Sequence, residues 1–419
     1  MNPIRPTTLH SNDASLDPEV GDDDARSDPL DEATIGPRDG AGKTVVVAMS
    51  GGVDSAVTAL VMRERGYRVI GMNLRLFSPE DPEHQVNPCC GIAALDDARA
   101  TCATIGVPFY AIDMESEFGE AVVDTFVSEY AAGRTPNPCL ECNRHVKFRH
   151  LVHRAKLLGA DCLATGHYAR ILPGDPARGE PHRLLRAMDG RKDQSYVLHT
   201  MTPEQLAYIR FPLGHLTKPE VRRLARAFDL PVADKAESQE ICFVGKGSYA
   251  EFVAKRRPDV TRPGEIVDAA GQKVGQHRGL VHHTVGQRRG IGIAAGQPLY
   301  VLGLDQAANR LVVGTRDQAR AEEVMAEAVS FTDGTWPAGA FGTDAVVRYR
   351  GQPIPATVTP SAEGTGCARV TFEGDGPIAS PGQAIVFYRG DEVLGGGTIA
   401  AVERRGSTTG AIALTAALA

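Results

Sequence analysis

Val45-Val46-Val47-Ala48-Met49-Ser50-Gly51-Gly52-Val53-Asp54-Ser55 reads as a strand, a turn and the opening of a helix. Its small and β-branched apolar run predicts a buried parallel strand. The Ser-Gly-Gly turn then leads into a helix expected over residues 53–65. A strand that breaks at paired glycines and opens a helix presents unpaired backbone N–H groups, and the positive helix end, to an anion. Glycine lets the backbone come close to phosphate oxygens, and the hydroxyls of Ser50 and Ser55 are further donors. Asp54 is out of place beside an anion unless a metal ion or a polar group answers it.

Outward from this stretch, strands are expected at 68–74, 108–113 and 161–166, and helices at 92–105, 118–130 and 146–158. A proline-broken loop at 134–143 carries Cys139 and Cys142. Strands alternating with helices predict a Rossmann-like, doubly wound parallel sheet, an α/β fold that binds ligands at the carboxyl ends of its strands. The Ser-Gly-Gly turn, the proline-broken loop and Gly166-His167-Tyr168 all leave the sheet at that edge. Gly42-Lys43-Thr44 resembles the end of a P-loop, but it precedes the strand and Pro37 holds the required glycine position, so it is rejected.

Residues 202–230 have a helical pattern with a basic face at Arg222, Arg223 and Arg226, expected to be solvated. Beyond Gly245 short apolar alternations are separated by glycines and prolines. Strands are expected at 264–268 and 299–304, and strands of a compact barrel at 345–350, 367–372, 383–388 and 393–401. The layout expected is a disordered acidic tail (1–43), a catalytic α/β domain (44–244), a small β-rich central domain (245–318), a C-terminal β-barrel (319–405) and a frayed tail (406–419).

The 419 residues give ample core, and 42% hydrophobic with 23% charged residues is an ordinary globular balance. The formal charge of −7 resides largely in the first forty residues, so overall charge neither supports nor excludes an RNA partner. No apolar run approaches the ~18 residues that span a bilayer, and the N-terminus has neither a signal core nor a basic transit character. Eight irregularly spaced cysteines are unlike a secreted disulfide framework and predict a reducing cytoplasm. There the Cys139-x-x-Cys142 pair is either half of a zinc site, completed by Cys89-Cys90, or a centre of sulfur chemistry in which a thiolate exchanges with a second cysteine. Cys102, Cys162 and Cys367 fall on helix or strand patterns and are expected in the core, and Cys89 and Cys90 on the surface.

Ser50-Gly51-Gly52-Val53-Asp54-Ser55 resembles the PP-loop of the ATP pyrophosphatase superfamily, which implies ATP cleavage between the α and β phosphates. Further matching pieces are Gly133 to Pro138 with Cys142-Asn143, Ala164 to Tyr168, Lys192 to Tyr196, Ser238 to Phe243, and His283 to Gly290. In this order, from about 44 to about 402, they resemble the tRNA-uridine 2-sulfurtransferase family. That resemblance implies thiolation of a wobble uridine. ATP adenylates the 2-oxygen, Cys242 carries a persulfide delivered by an upstream sulfur carrier protein, Cys142 is the nucleophile, and a transient Cys142–Cys242 disulfide results. AMP and pyrophosphate are released.

The same resemblance assigns Ala48, Met49, Ser50, Gly51, Gly52, Val53, Asp54, Ser55, Leu74 and Gly166 to ATP, with Asp54 turned to its magnesium ion. It assigns Asn137, Pro138 and Cys139 to the target base, and Lys192, Asp193, Gln194, Arg348 and Tyr349 to tRNA. Cys139 stands where some relatives carry aspartate, which raises an iron–sulfur cluster on Cys139, Cys142 and Cys242 as a rival to the dithiol cycle. Two further rivals are an amide-forming PP-loop synthetase and a non-catalytic RNA-binding module. A monomer without a membrane partner is expected.

Overall fold

The computed structural model describes residues 30–77, 91–237, 241–244, 247–293, 296–362 and 364–404. Cys89, Cys90, most of the expected acidic tail and the expected frayed tail beyond Arg404 lie outside the described residues.

The first layer is a five-stranded parallel sheet of β1 (Thr44–Ala48), β2 (Arg68–Arg75), β3 (Phe109–Asp113), β4 (Cys162–Ala164) and β5 (Ile209–Arg210), in the order β3-β2-β1-β4-β5. Central β1 pairs with β2 and β4, and Val45, Val46 and Val47 are fully buried, as an apolar run covered on both faces requires. Order reverses on either side of β1, so the crevice at its carboxyl end is the topological switch point. Helices α1 (Val53–Glu64), α2 (Ile92–Thr104), α3 (Phe148–Leu157) and α4 (Lys218–Ala227) belong to this layer. The pattern expected as one helical stretch at 202–230 is broken. A short helix ends at Tyr208, β5 intervenes, and α4 starts only after a Thr217 capping box with Glu220.

Residues 30–43, expected to be part of a disordered acidic tail, are ordered. A one-turn helix, Glu32–Ile35, is capped by Asp31, and Ile35 is 1% exposed against the α1 side of the sheet. Ile35, the partly buried Leu30 and hydrogen bonds from Arg65 to the Ile35 carbonyl and from Arg38 to the Glu64 carbonyl tether it despite its charged surroundings.

A second sheet contains β6 (Gly264–Asp268), β7 (Lys273–His277), β8 (Tyr300–Asp305) and β9 (Arg310–Gly314), in the order β8-β9-β6-β7. The third closes into a six-stranded antiparallel barrel of β10 (Ala321–Phe331), β11 (Phe341–Val346), β12 (Ile354–Pro360), β13 (Ala368–Phe372), β14 (Ala384–Arg389) and β15 (Glu392–Arg404). Pairing of β10 with β15 leaves the barrel no free edge at that seam. A hairpin from the α/β layer, Arg170–Leu172 with Arg183–Leu185, adds to β15 and stitches the barrel to that layer. Cys367, expected in the core, is partly exposed at the entrance to β13, whereas Cys102 and Cys162 are buried.

Between the α/β layer and α5 (Tyr249–Arg256) lies an aromatic cluster. Phe243 is 2% exposed, with ring centroids 5.0 Å from Phe126, 5.3 Å from Phe252 and 5.8 Å from Phe118. Removing such a ring costs about 3–5 kcal/mol. Phe243→Ala is expected to lower the thermal midpoint measured by calorimetry, and to raise the rate at which Cys242 reacts with a thiol probe. An unchanged midpoint would remove Phe243 as the anchor of this segment.

Candidate active site at the carboxyl edge of the parallel sheet

Gly51 has φ +72°, and a Cβ there would lie 2.0 Å from the Ala94 carbonyl oxygen, so only glycine fits between the turn and the start of α2. Ser55 Oγ donates to the Gly52 carbonyl (2.9 Å) and accepts from the Ser50 N–H (3.2 Å), closing the turn. The buried Asn73 amide donates to the Met49 carbonyl at 2.6 Å. Gly166 packs directly on this unit, since a Cβ there would come within 2.9 Å of the Asp54 carbonyl carbon. Ala48 to Ser55 and Gly166 are thus contiguous. Leu74, at the end of β2, is half-buried where two apolar clusters meet.

Asp54 has protein partners. Its Oδ1 accepts from the Tyr168 hydroxyl (2.8 Å) and from Lys218 Nζ (2.7 Å). Burial and the neighbouring Asp54 charge push the Tyr168 phenol far up, so it stays protonated and donates. Lys218, only 7% exposed, also pairs with Glu237 at 3.0 Å, and Glu237 pairs with Lys192 at 2.5 Å. Burial opposes ionisation of Glu237, yet the two ammoniums hold its carboxyl down at about 2. Its contribution to stability is therefore complete above about pH 4.5 and fades as pH falls towards 2. A magnesium role for Asp54 finds no support in this oxygen, which is already shared by two donors. Among the described residues no group of three or more His, Cys, Asp and Glu side chains is arranged to hold a metal ion. Cys139, Cys142 and Cys242 are among those described residues.

The segment expected as a proline-broken loop is helical from Pro138. Asn137 caps it, accepting from the Cys139 N–H at 3.2 Å, and Pro138 occupies the first helical position, where its missing N–H costs nothing. Cys139 is exposed on this first turn and Cys142 is buried. The chain continues through a π-helical stretch, Cys142–Lys147, into α3. Cys142 belongs to the cluster that holds Phe243, and Cys242 packs against that same cluster. Two cysteines a hundred residues apart in sequence thus share one apolar neighbourhood beside the end of β2. Burial pushes the thiols of Cys102 and Cys162 up to about 11, which leaves both inert.

The barrel holds the neighbouring turn. Thr135 N–H donates to the Pro381 carbonyl (2.8 Å), and the Gln383 amide donates to the Thr135 carbonyl (2.6 Å). In the 192–194 loop, Gln194 exchanges two hydrogen bonds with the backbone of Tyr168, and Asp193 accepts from Ala187, Ser195 and Arg186. Those two side chains scaffold the loop, and Lys192 is its cation towards the site. Arg348 and Tyr349, expected within a strand, lie in a turn after β11. Both are exposed, and Tyr349 sits 6.1 Å from the Tyr196 ring.

Lys218, Lys235, Glu237 and Asp97 were not singled out from the sequence. Lys218 alone left a signal, a lysine at the first helical position, where the helix dipole disfavours a cation. The basic face of α4 is also more than a solvated surface, because Arg222 donates to the Ala233 (2.8 Å) and Lys235 (3.1 Å) carbonyls.

Family profiles match the chain in three successive pieces: a tRNA methyl transferase HUP domain over residues 43–246, a tRNA methyl transferase PRC-barrel domain over 250–315, and an aminomethyltransferase β-barrel domain over 321–399. The tRNA-specific 2-thiouridylase MnmA of Geobacter metallireducens is 48% identical over 376 residues, covering 87% of this chain and 99% of its own. Its counterpart from Roseiflexus sp. (strain RS-1) is 46% identical over 370 residues, covering 85% and 99%. Among solved structures, a 4-thiouridine synthetase–RNA complex with bound ATP aligns over 52% of this chain and 51% of its own, at 16% identity and a TM-score of 0.31. With relatives of this identity aligned along nearly their whole length, the chain belongs to the tRNA-specific 2-thiouridylase family.

Proposed function

We propose that this chain activates a tRNA uridine with ATP and replaces its 2-oxygen with sulfur carried on Cys242. The observation that carries the reading is the shared neighbourhood of Cys142 and Cys242 at the edge where the Ser50–Ser55 turn also opens. In the first step the uridine 2-oxygen bonds to the α-phosphorus, the bond to the β-phosphate bridge breaks, and the electron pair leaves with pyrophosphate. Adenylation turns a poor leaving group into AMP. Ala48 to Ser55 and Gly166 hold the nucleotide in this reading, and Leu74 covers the base. The magnesium ion that travels with ATP would screen its phosphates.

Sulfur transfer follows. The terminal sulfur of a Cys242 persulfide, supplied by a carrier protein, reaches C2 and AMP departs. Cys142 attacks the inner sulfur, either to release sulfide or to resolve the persulfide after transfer, and the product is a Cys142–Cys242 disulfide. An external dithiol reductant returns both thiols. Asn137, Pro138 and Cys139 face the target base, and Lys192, Arg348 and Tyr349 touch tRNA in this reading. A persulfide is more nucleophilic than a thiol at neutral pH, and a second cysteine is needed to discharge it. Cys142→Ser and Cys242→Ser are each expected to abolish thiouridine formation, measured by mass spectrometry of digested tRNA, while pyrophosphate release persists. Thiolation surviving both substitutions would exclude the dithiol route, whereas an unsubstituted chain that forms no thiouridine would favour an amide-forming or RNA-binding reading.

Charge on the solvent side of α3 supports a tRNA partner. From Arg144 to Lys156 every charged side chain is basic, and Arg144, Arg149, Arg154 and Lys156 are exposed. Among the described residues Arg144, Arg149 and Arg154 have no carboxylate partner, and the run extends roughly 20 Å from the cysteine end of the helix. Arg149→Glu with Arg154→Glu is expected to weaken tRNA binding about tenfold or more, and to flatten its dependence on log salt concentration by about one to two units. An unchanged slope would show that this face is merely solvated.

A further inference from the structure

The nucleotide loop contains no cation. Between Ala48 and Ser55 its only charged side chain is Asp54, yet the ATP reading puts a triphosphate there. The geometry points to Lys235 as the cation that takes up the charge of the departing pyrophosphate. This rests on the ATP reading of the same loop and adds a residue that the loop motif does not contain.

Lys235 Nζ donates to the Gly51 carbonyl at 2.9 Å and to Asp97 Oδ2 at 2.6 Å. Gly51 is the residue whose positive φ makes the turn, so the ammonium sits on the turn itself. The backbone of Lys235 is fixed from behind, because Arg222 holds the carbonyls of Ala233 and Lys235. An ammonium has three N–H donors, and these two contacts leave one. As a structural pair, Lys235–Asp97 contributes little, since it is partly exposed and screened by solvent. Its resting partner can be surrendered cheaply: the Asp97 side chain is 36% exposed and can turn to water when a phosphate takes its place. Lys218 is the other lysine at the loop, but it is locked by two carboxylates, Asp54 and Glu237.

As the uridine 2-oxygen bonds to the α-phosphorus, negative charge grows on the α–β bridging oxygen and leaves with pyrophosphate. The Lys235 ammonium stabilises that charge, as preorganised cations do in phosphoryl transfer. No proton or electron is exchanged with the lysine.

The test compares three probes on the full chain: ATP, inorganic pyrophosphate and adenosine. Lys235→Ala is expected to weaken ATP and pyrophosphate roughly ten- to hundredfold, the loss typical of one charged hydrogen bond, and to leave adenosine affinity unchanged. Lys235→Arg should recover part of the loss, and Asp97→Asn, which removes the resting competitor, should tighten pyrophosphate a few-fold. The inference is overturned if Lys235→Ala leaves pyrophosphate affinity within twofold, if adenosine affinity falls in parallel, or if Asp97→Asn weakens pyrophosphate. Failure of the unsubstituted chain to bind any of the three probes would instead overturn the ATP reading, and this inference with it.

Discussion

One carboxylate oxygen ties the catalytic layer together. Asp54 Oδ1 receives both the Tyr168 hydroxyl and the Lys218 ammonium, so stretches more than a hundred residues apart converge on the first turn of α1. Tyr168 brings the end of β4, and Gln194 pinned to its backbone brings the 192–194 loop. Lys218 brings α4 and Glu237. A partly buried charge cluster is stable only when each member is answered. Here Asp54 answers Lys218, which Glu237 also answers, and Glu237 in turn answers Lys192. The Ser50–Ser55 turn, the 192–194 loop and the chain at Glu237 are therefore held in one electrostatic unit.

Apolar packing does the rest. Cys142 is placed by a helix that starts at an asparagine cap and a proline, and Cys242 is placed by the buried Phe243 next to it. Neither depends on the other, yet both elements pack on the same aromatic cluster. The barrel contributes from the far side, because the Pro381 carbonyl and the Gln383 amide hold Thr135 just ahead of the helix that carries both cysteines of the Cys-x-x-Cys pair. The inserted hairpin paired with β15 fixes the barrel to the α/β layer independently.

Much of this was legible in the sequence because it is local. A run such as Val45 to Ala48 has one stable home, at the centre of a parallel sheet, and Gly51 has one reason to be glycine. The boundaries that misled were those where one or two residues outweigh their neighbours. Ile35 and Leu30 help to order a charged segment, and Asn137 with Pro138 turns an apparent loop into a helix start. Arg348 and Tyr349 continue a strand pattern that the chain leaves at Val346 for a turn, with Arg350 at φ +58°. Apart from the odd placement of Lys218 at a helix start, the lysines left no trace, because ion pairs such as Lys218–Asp54 and Lys235–Asp97 span more than a hundred residues and leave no periodicity. Asp54 looked unanswered for the same reason: the protein groups it meets, Tyr168 and Lys218, lie far along the chain.

The central claim is that activation and sulfur transfer occur at one site with two cysteines. A single turnover of the persulfide-loaded chain with ATP and tRNA, followed by intact-protein and peptide mass spectrometry, tests it directly. The account predicts one pyrophosphate, one AMP and one thiouridine for each Cys142–Cys242 disulfide formed. Thiouridine formed without pyrophosphate release, or with both cysteines recovered as thiols in the absence of reductant, would contradict it.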